Sequence, residues 1–286
     1  MEFRESRIAS FFVMLLVYAI ACISGILIYH FLTLDLWLNL LITDICATVI
    51  IFLFSVLFEN ASVYDPYWSV LPIVVVVGYS FTYTLNTARI LMLIAVCVWG
   101  VRLTANWAYT FRNLLHQDWR YTMIERKTGD WYPIVNFLGI HMFPTLVVYA
   151  CILPVVYTFH LSFTVNVGSI IFFAVSILAV ILQSVSDCQM HVYRRNRKTP
   201  FIRVGLWKYS RHPNYLGEII MWWGVALAFV CANPFMWYLI VGAIVNTVMF
   251  LVVSIPMADK RQSRKNGFSE YKKQTRMLLP IPKKTR

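Results

Sequence analysis

Hydrophobic and polar positions in this chain alternate on the scale of whole segments rather than single turns. Eight apolar runs can be drawn, roughly 8–32, 36–58, 68–85, 90–111, 134–159, 165–186, 215–232 and 235–255. Each is near the ~20 residues a helix needs to cross a hydrocarbon core. The pattern predicts an all-α fold of about eight transmembrane helices, forming a single transmembrane domain over residues 1–286. Residues 1–60 hold the first two helices. The first run is longer than a signal-peptide core and lacks a small-residue cleavage pattern, so it is read as retained. The substantial polar intervals are 112–133, 187–214 and 256–286. None is long enough to stand as a soluble domain, and no internal repeat is visible.

Charge placement sharpens this picture. If the gaps are numbered alternately inside and outside, starting inside, all of the 25 lysines and arginines except Arg89 and Arg102 fall inside. The positive-inside rule requires such an asymmetry. It predicts cytoplasmic termini and puts the three long polar intervals on one side, where they can roof a cavity among the helices. Only 13% of residues are charged, 59% are apolar, and the mean hydropathy is +0.66. Soluble chains are about a quarter charged. A net charge of +12 would suggest nucleic acid in a soluble protein; here the membrane accounts for it, and no nucleic-acid partner is expected. The basic C-terminal interval also reads as a tail on anionic lipid, at about 1 kcal/mol per cation. The six cysteines form no C-x-x-C pair, and the six histidines form no H-x-x-x-H or H-E-x-x-H. Neither a disulfide framework nor a metal site is expected.

Against this background the stretch 205–218 stands out, because Tyr209, Arg211, His212, Asn214, Tyr215 and Glu218 crowd into ten residues. Pro213 suits the first turn of a helix, where its missing N–H costs nothing. On that helix Asn214 and Glu218, four apart, share a face. An anionic ligand can use the free N–H groups of the helix start and the nearby arginines. The alternative is a basic loop anchoring a helix among headgroups. Arg102 lies near the middle of the fourth run, where a cation costs from about 2.5 to more than 10 kcal/mol, so a partner or a wet cavity is expected. Trp99, Asn106 and Trp107 offer polar groups and aromatic walls nearby. Asp65 is the natural candidate partner. Partly buried, it can hold a proton for donation; equally, it can cap the helix that Pro66 begins. Asp187, His191 and Arg194 fall on one helical face, a set that suits a ribose or amide plus phosphates, or a collar of lipid headgroups. The run Asp118-Trp-Arg-Tyr121 is expected to be a solvated loop.

These residues together resemble the membrane steroid 5-alpha-reductases. The resemblance is carried by Leu206-Trp-Lys-Tyr-Ser-Arg-His-Pro-Asn-Tyr-Leu-Gly-Glu218 with Trp222 and Gly224, by Ser186-Asp187, and by Tyr271 through Pro280. Upstream, Asp65-Pro-Tyr-Trp68, Arg102-Leu with Asn106-Trp107, and Asp118-Trp-Arg-Tyr121 look like a broad subfamily of those reductases. The resemblance implies a seven-helix core at 64–280, closed by cytosolic loops at 112–133, 187–214 and 256–286 over a bound NADPH. It implies an oxidoreductase acting on a CH–CH bond, reducing a C=C conjugated to a ketone in a steroid-like or other lipid substrate that enters from the bilayer. By resemblance, Asn214, Tyr215 and Glu218 contact the nicotinamide end. Asp187, His191 and Arg194 bind further along, and Arg203, Trp207, Tyr209, Arg211, His212 and Asp259 complete the cofactor set. Asp65 falls where the family places a glutamate that polarises the substrate carbonyl. Trp99 replaces a tyrosine, and Arg102 matches an arginine. Met221 stands where a second acid is common. Tyr64 or Tyr67 can supply a hydroxyl to the carbonyl.

A second resemblance competes. Arg211-His-Pro-x-Tyr-x-Gly217 is similar to the cofactor motif of isoprenylcysteine and phospholipid methyltransferases, which use S-adenosylmethionine and carry a pair of acids after the last helix. Here that region holds one acid, Asp259. A non-catalytic lipid-binding protein on the same scaffold is the third reading. The expected setting is a bacterial inner membrane or the endoplasmic reticulum, and the sequence does not address the oligomeric state.

Overall fold

The computed structural model describes residues 2–161 and 163–281, and it is helical throughout, with 81% of residues in helix and no strand among the described residues. Eight helices are long and apolar enough to cross a membrane, and the protein is a multi-pass membrane protein. In order the helices are α1 (Arg7–Phe31), α2 (Leu36–Leu57), α3 (Tyr67–Thr82), α4 (Thr87–Thr110), α5 (Trp119–Thr128), α6 (Tyr132–Val135), α7 (Phe143–His160), α8 (Val167–Arg195), α9 (Pro213–Ala232), α10 (Val241–Met249), α11 (Ile255–Gln262) and α12 (Phe268–Gln274). α5 to α7 run on through a π-type turn at Asn136–Met142 as one long span, and α10 to α11 do so through a π-type turn at Phe250–Ser254.

The faces of these helices show which solvent the chain is built for. On α1 the buried positions are Ser10, Met14, Val17, Ala21 and Gly25, whereas Ile8, Phe12, Leu16, Ile23 and Leu27 are exposed. α8 repeats the scheme, with Ser169, Ser176, Ala179 and Gln183 inside and Ile170, Leu178 and Ile181 outside. Lipid tails are as apolar as leucine, so small and polar residues gain more from facing protein than large apolar ones do.

The chain divides into two compact units, Met1–Thr84 with Leu103–Leu153, and Leu85–Arg102 with Pro154–Arg286. In the first, a core of Met14, Val17, Ala47, Ile51, Tyr64, Tyr67 and Leu114 joins α1, α2 and the turn between α2 and α3. That turn is buried, which loops seldom are. Its polar groups are satisfied by the segment after α4: Asn60 Nδ2 donates to the Leu114 carbonyl at 2.7 Å, Gln117 accepts from the Ala61 N–H at 2.8 Å, and the Asp118 N–H donates to Ser62 at 2.8 Å. The interval 112–133 therefore packs on that turn, and it contains a helix, α5, rather than loop alone.

In the second unit α8 and α9 pack closely because α9 carries Gly217 and Gly224, two turns apart. A Cβ at Gly217 would lie 2.5 Å from Gln183 Cγ and 2.8 Å from the Ala179 carbonyl. At Gly224 it would lie 2.8 Å from Ser176 Cβ and 2.9 Å from the Phe172 carbonyl. α8 continues to Arg195, past the end at 186 expected from its apolar run. Helix propensity carries the polar end on after hydropathy has stopped, so the first part of the interval 187–214 is helix. α9 begins at Pro213, as the sequence predicts.

Candidate functional site

The centre of the second unit is a set of polar side chains on α4, α8 and α9. Glu218 is buried, one turn into α9, and its carboxylate accepts the Trp99 indole N–H at 2.9 and 3.0 Å. The Trp222 indole N–H donates to the same carboxylate at 3.0 Å, and the two indoles meet edge-on with centroids 4.8 Å apart. Trp99 lacks the hydroxyl of a tyrosine, yet its N–H puts a donor into the cluster. Arg102, one turn along α4, pairs with Asp187 at 2.7 Å. The Asn214 side chain hydrogen-bonds the same carboxylate. The expected partner of Arg102 was Asp65; the structure assigns Asp187 instead. A buried cation accepts any acid that the helix packing brings to it, and sequence distance does not enter. Arg102 Nε has no partner among the described residues.

His191 and Arg194 follow Asp187 along α8, half-buried and exposed respectively. The exposed Arg203 lies over the Phe201 ring, and the exposed Tyr209 lies beneath the Lys208 ammonium. Arg194 belongs to a rim of cations with Arg197, Arg261 and Lys265. Burial first, and then these three arginines, push the Lys265 ammonium below the usual lysine range.

The remaining residues of the stretch are committed to one another. Arg211 is buried; its Nη2 reaches Asp259 at 2.9 Å, and its Nη1 donates to the Thr275 carbonyl at 2.7 Å. His212 Nε2 meets the other Asp259 oxygen at 3.0 Å, and its ring stacks on Tyr215 at 5.3 Å. The Trp207 indole donates to the Ser186 carbonyl at 3.1 Å, and Tyr271 donates to the Trp207 carbonyl. Burial pushes the Tyr271 hydroxyl above the usual tyrosine range. These contacts tie the segment before α9 to the C-terminal helices. A buried guanidinium with this many protein acceptors is spent on architecture, and Asp259 holds the knot together.

In the first unit Asp65 accepts the Tyr121 hydroxyl at 2.6 Å, with Arg120 Nη2 at 4.0 Å. It does not cap α3, whose N-cap is Pro66 without a side-chain hydrogen bond. Asp118 caps α5 by accepting from the Arg120 N–H at 2.9 Å. The Asp118-Trp-Arg-Tyr121 run is thus a half-buried helix start wired to Asp65, and not a solvated loop. The Tyr64 hydroxyl pairs with Thr145 at 2.8 Å, and Tyr67 donates to Asp44 at 2.8 Å. Both candidate hydroxyls already have partners within the unit.

Residues 51–275 match the family described as protein of unknown function (DUF1295). The chain belongs to the DUF1295 family. No curated protein and no solved structure matches it. The part matched to DUF1295 begins within α2 and ends just after α12, so it takes in Asp65, Tyr121, Arg102, Asp187 and the whole Arg211–His212–Asp259 knot.

Sequence reading named the residues of the second-unit centre but gave Trp222 no role, and it placed Tyr121 in solvent. An acceptor at Glu218 with an indole one turn later was a usable signal, since buried indole N–H groups seek partners. Asp44 and Gln183 were missed altogether. Both lie in apolar runs, where a lone polar residue was the available sign.

Proposed function

We propose that the protein is a membrane-embedded reductase that uses NADPH to reduce a C=C bond conjugated to a ketone in a lipophilic substrate reached from the bilayer. The observation that carries this reading is the buried centre of the second unit, where Arg102, Asp187, Asn214 and Glu218 converge with two indoles. Arg102 lies within a candidate membrane span, and an ionisable residue in such a span is by default read as functional. The residues present suit a phosphorylated dinucleotide. Arg194, Arg197 and Arg261 repel the Lys265 ammonium, and phosphate oxygens would relieve that repulsion. Asn214 offers both a donor and an acceptor, the pair a carboxamide needs.

When bound, the cofactor supplies a hydride to the carbon β to the ketone. The chain's own part is to hold, orient and exclude water. Charge gathering on the ketone oxygen calls for a hydrogen-bond donor, which contributes about 3–4 kcal/mol. In the first unit the Tyr121–Asp65 pair has the chemistry to hold and pass such a proton.

The methyltransferase reading draws on the same Arg211-His-Pro stretch. In its disfavour, Asp259, the single acid of that region, already has both oxygens engaged by Arg211 and His212. Equilibrium dialysis of the detergent-purified full chain separates the two readings. NADPH is expected to bind saturably, and Glu218→Gln and Asn214→Ala are expected to weaken it at least tenfold while the protein still inserts. Unchanged affinity in both variants rejects the reading, and binding of S-adenosylmethionine without NADPH replaces it with the alternative.

A further inference from the structure

The first unit contains a cavity of about 340 Å³ between α1, α2 and α3. That is within the size range of small-molecule sites. Its wall is mostly apolar, with Ala21, Ile26, Leu40, Leu71 and Val74 among the lining side chains; polar side chains line it toward the ends of α1 and α3, at Tyr29, His30, Thr82 and Tyr83, and again at a second pole. That pole is made by Thr43 and Asp44 on α2 and Tyr67 on α3. Asp44 is only 1% exposed. Tyr67 donates to its Oδ1 at 2.8 Å, while Asp44 Oδ2 and Thr43 Oγ1 have no partner among the described residues. Buried polar atoms in native proteins are nearly always paired, and exceptions ask for an explanation. In hydrocarbon the demand is stronger, because water is scarce.

We propose that this cavity binds a lipophilic alcohol, with its apolar body against α1, α2 and α3 and its hydroxyl at Asp44. A hydroxyl donates, as an open carboxylate oxygen requires, and accepts, as the proton of Thr43 requires. An ammonium donates but accepts nothing. A carboxylate repels Asp44, and a plain hydrocarbon leaves both atoms unpaired. Glycines keep the space open on two sides. A Cβ at Gly25 would meet Thr43 and Ala47 at 3.6 and 3.8 Å, and one at Gly78 would meet nothing within 4 Å. Asp44 lies eight residues into α2, roughly 12 Å along the axis at 1.5 Å per residue. The lysine and arginine pattern assigns that end of α2 to the non-cytoplasmic side, so the alcohol enters from that leaflet. The site lies wholly in the first unit and does not rest on the dinucleotide reading.

The test uses the full chain in lipid nanodiscs and hexadecanol bearing a terminal diazirine. Photolabelling followed by peptide mapping is expected to place the label on α1, α2 and α3. Unlabelled hexadecanol is expected to compete at a concentration at least tenfold lower than hexadecane, palmitate or hexadecylamine. Gly78→Leu, whose Cβ would meet nothing within 4 Å and whose side chain would occupy cavity space, is expected to cut labelling at least fivefold at an unchanged melting temperature. Asp44→Leu is expected to erase the preference for the alcohol. Labelling outside these helices, equal competition by hexadecane, a preference for the amine, or wild-type labelling of Gly78→Leu would each overturn the proposal. Dinucleotide binding is expected to be intact in Gly78→Leu, so the two readings fail separately.

Discussion

In the second unit the carboxylates Glu218, Asp187 and Asp259 each have at least two protein partners: two indoles, an arginine and an asparagine, and an arginine with a histidine. In the first unit Asp44, more fully buried, meets Tyr67 with one oxygen and presents the other to a cavity. The contrast teaches that buried polarity has two uses. One is cohesion, which needs every lone pair answered from within. The other is recognition, which needs one left for a ligand. Arg211 and Arg102 make the point inside a single unit. Each nitrogen of the first has a protein acceptor, tying it to the C-terminal helices, and the second keeps Nε without a partner among the described residues beside a residue of the proposed cofactor site.

Three substitutions test the contrast, from the largest expected effect down. Arg102→Leu leaves Asp187 without its cation. Removing one partner of a buried pair costs about 3–5 kcal/mol, and the lower end applies because these side chains keep 15% and 16% exposure. A fall of several degrees in the apparent melting temperature in detergent is expected, with much of it recovered when Asp187→Leu is added. An unchanged melting temperature would mean that the pair is not cohesive. Gly224→Leu forces a side chain against the Phe172 carbonyl and Ser176, and overpacking of this kind costs about 1–3 kcal/mol. Its melting temperature is expected to fall while Gly78→Leu, facing open space, holds. Asp44→Asn keeps an acceptor for Tyr67 and removes a buried charge that has no ion-pair partner among the described residues, so stability is expected to hold or rise. A large loss there would show Asp44 to be as cohesive as Asp187.

Much of the fold was legible because spanning a bilayer makes a simple demand, about twenty apolar residues with every backbone group paired internally. The start of α9 was legible too, since Pro213 has few other places to sit. Legibility ended at the helix faces. In a soluble protein a 3.6-residue apolar stripe marks the core, but on α1 and α8 many of the large apolar residues lie on the exposed face and small or polar ones within, so the apolar stripe does not mark the core. Knowing that Arg102 needed an acid pointed to Asp65, and nothing local singled out Asp187, which the structure pairs with it. For the same reason nothing local showed that the folded chain closes Arg211 on Asp259 and Thr275.

The amino-acid order alone therefore settled the number of spans, the proline-led start of α9 and the concentration of chemistry around it, all of which depend on composition within a few turns. Which acid answers which cation, which tyrosine reaches Asp65, and that a cavity forms beside Asp44 were decided by the tertiary structure. Those outcomes depend on which helix faces meet, and helices bathed in lipid choose their contacts through small residues such as Gly217 and Gly224, whose significance appears only once a neighbour is pressed against them.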